Sequence, residues 1–269
     1  MKYVHYVKDY LLNPYHPVTV ALIGCGGTGS QVLTSLGRIS YALQQLGHPG
    51  LFVTAYDGDI VTEANCGRQL FSTQEIGHNK AEVLITKMNM FFGSNWEAKQ
   101  KMYDNRSPIA NIVISCVDSV KARLMIASHL KKNGGGVDYR NFMYWMDFGN
   151  MQDRGQVIVG TAGREHKQPD GKDEAVGRLR DITDFFDLKA VSDEESGPSC
   201  SLAAALRKQD LFINSTLAQV GCGILWKMFK GVLDVQGAYV NLDTMKVNPI
   251  KIEKYEQSVS EKKGKGPRA

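Results

Sequence analysis

The chain is short of several things, and each shortage excludes a class of protein. It has five cysteines (Cys25, Cys66, Cys116, Cys200, Cys222), an odd and scattered set without a C-x-x-C pair. A disulfide framework and a four-cysteine zinc site are both excluded on that ground, and no zinc is expected. The six histidines (His5, His16, His48, His78, His129, His166) show no metal-ligand spacing. No run of about 18 apolar residues occurs, so no membrane span is expected. Charge of one sign is also lacking: 32 Lys+Arg against 28 Asp+Glu leave +4, too little and too evenly spread to point to nucleic acid. The opening MKYVHYVKDYLLNPYHP is mixed polar and aromatic, unlike a signal peptide, and the expected location is cytoplasmic. Internal repeats and long low-complexity runs are missing too.

What remains is a globular composition, 43% apolar and 22% charged over 269 residues, the length of one large domain or one domain with an elaboration. After an N-terminal arm (1–17), Val18–Gly24 is β-branched, uncharged and closed by glycines, the pattern of a buried strand. Thr28–Gln45 places Val32, Leu33, Leu36, Ile39 and Leu43 at helical spacing. Leu51–Asp57 reads as a second strand, Asn79–Phe91 as a helix, Ile112–Val117 as a strand, Ala122–Leu130 as a helix, and Tyr144–Phe148 and Gln156–Gly160 as later strands. Such alternation predicts an α/β fold, a Rossmann-like parallel sheet flanked by helices, which binds ligands beyond the carboxyl ends of its strands. The charged stretch 163–200 reads as a crossover loop. Leu211–Lys230 is a strong helix candidate, with Asn214 or Ser215 as cap. The main domain runs over 18–256, and 257–269 is a basic tail expected to be disordered.

Chemistry concentrates at the predicted strand ends. Gly24-Cys25-Gly26-Gly27-Thr28-Gly29 fits G-x-G-x-x-G between a strand and a helix, where glycines let the backbone approach a phosphate and the helix start offers amides. A ligand-free tight turn is the bland alternative. Asp57, 28 residues after Gly29, stands where an acid accepts hydrogen bonds from a ribose. To this point a nicotinamide enzyme and an ATP enzyme are equally good readings. Beyond Asp57 and Asp59 come Asn65, Arg68, Gln69 and Lys80. A triphosphate, with about four negative charges, uses such cations and amides; a nicotinamide cofactor has little use for them. Asp118, after the apolar run 112–117, suits Mg²⁺, or caps the helix beginning near Ser119.

Taken together, Gly24-x-Gly26-Gly27-x-Gly29, Asp57-x-Asp59-x-Val61, Asn65-x-x-Arg68-Gln69, Gly77-x-x-Lys80 and Asp118 resemble the adenylation domain of ThiF, MoeB and the ubiquitin-activating enzymes. Pro198-Ser199-Cys200-Ser201-Leu202 and the segment Gln209–Ser215 are similar in particular to the ThiF-like proteins of the bacterial PRTRC system. The resemblance implies ATP and Mg²⁺: the glycine loop backs the phosphates, Asp57 holds the ribose, and Asn65, Arg68 and Lys80 contact the triphosphate. Asp59 and Gln69 belong to the same segment, with Gln69 in support, and Asp118 organises the metal and the α-phosphate. The implied reaction is attack on ATP by the C-terminal carboxylate of a small ubiquitin-like or sulfur-carrier protein, within a homodimer, with neither membrane nor specific nucleic acid as partner. Cys200 in the crossover loop is the implied thioester nucleophile, and Cys25, Cys66, Cys116 and Cys222 read as structural. In two respects the chain departs from that pattern: it lacks the paired C-x-x-C motifs, and no arginine precedes Arg38, where relatives send one to the partner subunit's site. Lys2 or Lys8 would be its imperfect substitute. Two other readings remain open, a non-catalytic ThiF-like scaffold that binds nucleotide or partner, and an NAD-dependent oxidoreductase on the same sheet.

Overall fold

The uncharged runs form the centre of the molecule. In the computed structural model, which describes residues 2–133, 138–162, 165–172, 174–190 and 209–254, the chain opens with β1 (His5–Tyr6) and α1 (Asp9–Leu12). β2 (Val18–Ile23), α2 (Gly27–Gln45), β3 (Leu51–Tyr56), α3 (Lys80–Phe92), β4 (Glu97–Lys99), β5 (Ile112–Ser115) and α4 (Val120–Asn133) follow. β6 (Tyr144–Asn150), β7 (Arg154–Thr161), α5 (Ile182–Phe185), α6 (Ile213–Met228), β8 (Val232–Leu233), β9 (Val235–Asn241) and β10 (Lys246–Lys251) complete the order.

Eight strands make one sheet in the order β10-β9-β7-β6-β5-β2-β3-β4. From β6 to β4 the pairs are parallel, while β7, β9 and β10 extend the sheet in antiparallel fashion. β2 and β5 are buried over almost their whole length, which explains why they read as continuous apolar runs rather than alternating ones. Helices cover both faces. Val32 and Leu36 of α2, Leu84 of α3 and Leu217 of α6 join one core; Ile126 and Leu130 of α4 join Trp145 and Phe142 in the other. The fold is thus the expected α/β arrangement. Chain order runs from β2 outward to β3 and β4, then returns to the other side of β2 as β5. The switch therefore opens a crevice beyond the carboxyl ends of β2 and β5, the ligand position of such sheets.

Several elements differ from the sequence expectation. Within the arm, β1 pairs antiparallel with β8 and His5 is fully buried. Part of the crossover stretch forms α5, capped by Asp181, whose carboxylate accepts from the Thr183 amide at 2.8 Å. Neither Asn214 nor Ser215 caps α6. The helix begins at Ile213, with Phe212 in the cap position, and Asn214 turns its amide sideways into a buried polar network instead. The strands β4, β8, β9 and β10 had no sequence expectation. The stretch 191–200 of the crossover loop and the basic tail lie outside the described residues.

Candidate active site

Gly24 ends β2 at φ +89, a conformation that costs an L side chain and suits glycine. A Cβ there would also stand 2.6 Å from the Cys116 carbonyl oxygen, so the loop lies tight against the end of β5. A Cβ at Gly26, by contrast, would meet nothing within 4 Å; the loop is open where a ligand would approach. Beyond it the first turn of α2 has amides with no intrahelical acceptor. The Asp57 carboxylate fixes this loop from the neighbouring strand. Its Oδ2 accepts from the Cys25 amide at 2.6 Å and its Oδ1 from the Asp59 amide at 2.8 Å. Burial raises the pKa of Asp57 above its ordinary value, opposed by those two amides and by Lys80.

From Asp57 the chain of contacts runs to a cation. Lys80 Nζ lies 3.0 Å from Asp59 Oδ2, with the lysine side chain 11% exposed and the aspartate 56%. A pair whose acid is so open to water is worth little, so an incoming phosphate can take the ammonium from it. Asn79 locks the same turn: its Nδ2 donates to the carbonyls of Asp57 and Asp59, and its Oδ1 caps α3 at the Glu82 amide. The sequence reading starts this helix at Asn79 but gives its side chain no role, although an Asn directly before an apolar-periodic helix is a capping signal.

The segment between these turns carries the other predicted groups. Asn65 closes a capping box with Thr62, its Oδ1 accepting from the Thr62 amide and hydroxyl. Gln69 is buried, and its Oε1 has no partner among the described residues. Arg68 donates from Nη1 to Gln209 Oε1 at 2.9 Å, while its buried Nε–H has no partner among the described residues. Burial lowers the Arg68 pKa from its ordinary value. An unmet buried donor or acceptor costs about 1–3 kcal/mol, so these two orphans fit a polar ligand. Gln209 also accepts from Asn214 Nδ2 at 2.8 Å, and Asn214 Oδ1 accepts from Thr28 Oγ1 at 2.8 Å. Arg68 is thereby linked to the start of α2 through Gln209 and Asn214.

Asp118 is exposed at the carboxyl end of β5. The helix cap it could have provided is made by Ser119, whose Oγ accepts from the Ala122 amide at 3.1 Å. Val117 approaches the Gly24 side of the loop, 3.6 Å from the position of a Cβ there. Below lies a buried pair that the sequence reading missed. Arg123 Nε meets both oxygens of Asp147 at 3.1 and 3.0 Å, and its Nη2 donates to the carbonyls of Val117 and Phe148. Ser115 and Trp145 complete the network. A cation in a helix's first turn opposes the helix dipole, and this was the available sequence signal that Arg123 has a buried acid to meet.

Glycine loop, Asp57, Lys80, Arg68 and the approach to Asp118 thus gather on one edge of the sheet, at its switch point. Residues 12–263 match the ThiF family. The chain belongs to the ThiF family.

Solved structures with the same fold include PaaA (14% identity, TM-score 0.53, 87% of this chain and 64% of that one). Another is E. coli MccB with AMPCPP and MccA (16%, 0.56, 92% and 66%). A third is the Microcin C7 biosynthetic enzyme MccB in complex with N-formylated MccA (17%, 0.56, 91% and 67%). This chain therefore spans about two thirds of their length or slightly less. No curated protein matches it in sequence.

The remaining residues expected from the ThiF resemblance are distributed as follows. Cys200 and the Pro198–Leu202 motif lie outside the described residues. Burial raises the thiols of Cys25 and Cys116 well above the ordinary range and that of Cys222 to about 12, which keeps them protonated. Lys2, one candidate for the missing arginine, pairs with Asp234 at 2.8 Å on the β8 side of the molecule. Among the described residues no group of three or more His, Cys, Asp or Glu could hold a metal by itself, and no helix is long and apolar enough to cross a membrane. A lone exposed carboxylate such as Asp118 fits Mg²⁺, which binds through one or two carboxylates plus phosphate oxygens and keeps several waters.

Proposed function

We propose that this ThiF-family chain is an ATP-dependent adenylyltransferase that activates the C-terminal carboxylate of a small ubiquitin-like or sulfur-carrier protein. The observation that carries the reading is the attachment of two cations from distant segments to one open glycine loop, Lys80 through Asp59 and Asp57, Arg68 through Gln209 and Asn214. The fold shared with MccB, solved with AMPCPP and MccA, supports it. In the reaction a carboxylate oxygen attacks the α-phosphorus, the bond to the bridging oxygen breaks, and pyrophosphate leaves with that electron pair. No base is required, because the nucleophile is already an anion. The chain's work is positioning and charge neutralisation. Asn65, Arg68 and Lys80 hold the triphosphate, Gln69 supports the segment, and Asp57 keeps the loop in shape while offering its remaining lone pairs to the ribose. Asp118 would hold Mg²⁺, which supplies further neutralisation of phosphate charge.

Homodimeric assembly, a cytoplasmic setting, a PRTRC-type context and acyl transfer from adenylate to Cys200 belong to the same proposal. The test is pyrophosphate exchange into ATP, dependent on the partner protein. Lys80→Ala and Asp118→Ala should each lower exchange by about two orders of magnitude, as loss of a site-focused charge does. Near-normal exchange in both variants would remove the assignment. Thermal shifts separate the rivals: ATP with Mg²⁺ should raise the melting temperature and NAD should not. A scaffold would bind ATP without exchange.

A further inference from the structure

Arg68 and Gln209 are 141 positions apart in the chain, yet they meet at 2.9 Å. Gln209 Oε1 is itself held, accepting from Asn214 Nδ2 at 2.8 Å. Asn214 Oδ1 accepts from Thr28 Oγ1 at 2.8 Å and from Asn150 Nδ2 at 3.2 Å. A Cβ on Gly27 would stand 2.7 Å from the Asn214 amide, so glycine at that position leaves the space Asn214 occupies. Groups from α2, the end of β6, α6 and the residues before it therefore hold one carbonyl oxygen in place, and that oxygen holds the guanidinium. Among the described residues no carboxylate pairs with Arg68, and its buried Nε–H is unpartnered.

We propose that Gln209 is a positioning residue for Arg68, orienting the guanidinium over the glycine loop with a neutral acceptor so that its charge stays available to a nucleotide phosphate. The inference rests on the ATP reading above and adds to it the choice of Gln over Glu. A glutamate would offer an oxygen at the same reach but would form an ion pair, and a phosphate would then compete with it for the guanidinium. An apolar residue would leave the guanidinium free to rotate, and its ordering would be charged against ATP binding.

The experiment measures ATP affinity of the full chain with Mg²⁺ by calorimetry, in a double-mutant cycle. Gln209→Met should weaken binding about tenfold, the order of one charge-assisted hydrogen bond. In the Arg68→Met background the same change should alter affinity less than about twofold, because no guanidinium remains to be oriented. Gln209→Glu should weaken binding at least as much as Gln209→Met although it keeps an acceptor. Should Gln209→Met fail to fold, Gln209→Asn, which withdraws the amide by one methylene, replaces it in the cycle. An equal loss in both backgrounds, or no loss in the wild-type background, overturns the proposal and leaves ATP binding standing. A wild-type chain that binds no ATP takes down both.

Discussion

Asp147 is 1% exposed, and burial raises its pKa, a shift that the Arg123 guanidinium and the Ser115 hydroxyl oppose. The pair it forms with Arg123 joins the ends of β5 and β6, since Arg123 also donates to the carbonyls of Val117 and Phe148. Removing the cation alone would strand a buried carboxylate. Arg123→Met should therefore cost about 3–5 kcal/mol, whereas Asp147→Asn, which leaves the Arg123 guanidinium without its counter-ion but still bonded to the Val117 and Phe148 carbonyls, should cost less. Urea unfolding of the two variants reads the difference directly. Equal losses would mean that the guanidinium is as costly to strand as the carboxylate, against the ranking expected from its two remaining carbonyl partners. At this scale the legible residues were those whose chemistry is rare at their position: Arg68 and Lys80 just beyond an expected phosphate loop, Asp118 at a strand end. Asn79, Gln209 and Asn214 were not legible as site groups. A neutral amide suits a surface, a turn or a buried network equally well, and only the fold shows that Gln209 faces Arg68 across the chain.

Elements that pack on both faces announce themselves, and edges do not. β2, β3 and β5 were readable because burial demands long apolar runs, and α2 because its buried stripe repeats at helical spacing. β4 consists of Glu97-Ala98-Lys99, and β10 is exposed at most positions and contains Pro249, tolerable because an edge strand needs no amide on its open side. Pattern reading has nothing to hold there. The arm was opaque for another reason, since its anchor is a buried polar cluster. His5 Nδ1 lies 2.6 Å from the Val176 carbonyl and Nε2 lies 2.8 Å from the Tyr144 hydroxyl, which also receives the Lys8 amide at 3.2 Å. The carbonyl can only accept, so Nδ1 carries the proton and Nε2 accepts from Tyr144. Burial lowers the His5 pKa from 6.5 to about 4. The unfolded chain then binds the proton first as pH falls, so stability is whole above pH 6.5 and declines toward pH 4, by at most about 3 kcal/mol from this group. Urea titrations between pH 7 and 4 should show that decline, and His5→Gln should flatten it. An unchanged pH slope in the variant would exclude His5 as its source.

Across the whole molecule, the same sheet edge that gathers cations also sorts the thiols. Cys25 in the glycine loop and Cys222 within α6 are buried and Cys116 at the end of β5 is partly exposed, yet desolvation pushes all three thiols upward. A buried protonated thiol neither attacks an adenylate nor alkylates readily. Cys66 is half-buried, and its sulfur stands 3.7 Å from the Thr62 carbonyl. If acyl transfer follows adenylation as proposed, the five cysteines of the chain reduce to two serious acceptors, Cys66 on the phosphate-side segment and Cys200, which the family resemblance nominates. Incubation with ATP, Mg²⁺ and the partner protein should give a conjugate that thiols cleave. Cys200→Ser should abolish it while pyrophosphate exchange continues, and Cys66→Ser should leave it intact. A conjugate that survives Cys200→Ser and disappears with Cys66→Ser would move the acyl acceptor to the loop beside Arg68. Loss of exchange along with the conjugate in Cys200→Ser would show instead that the substitution disturbs adenylation itself.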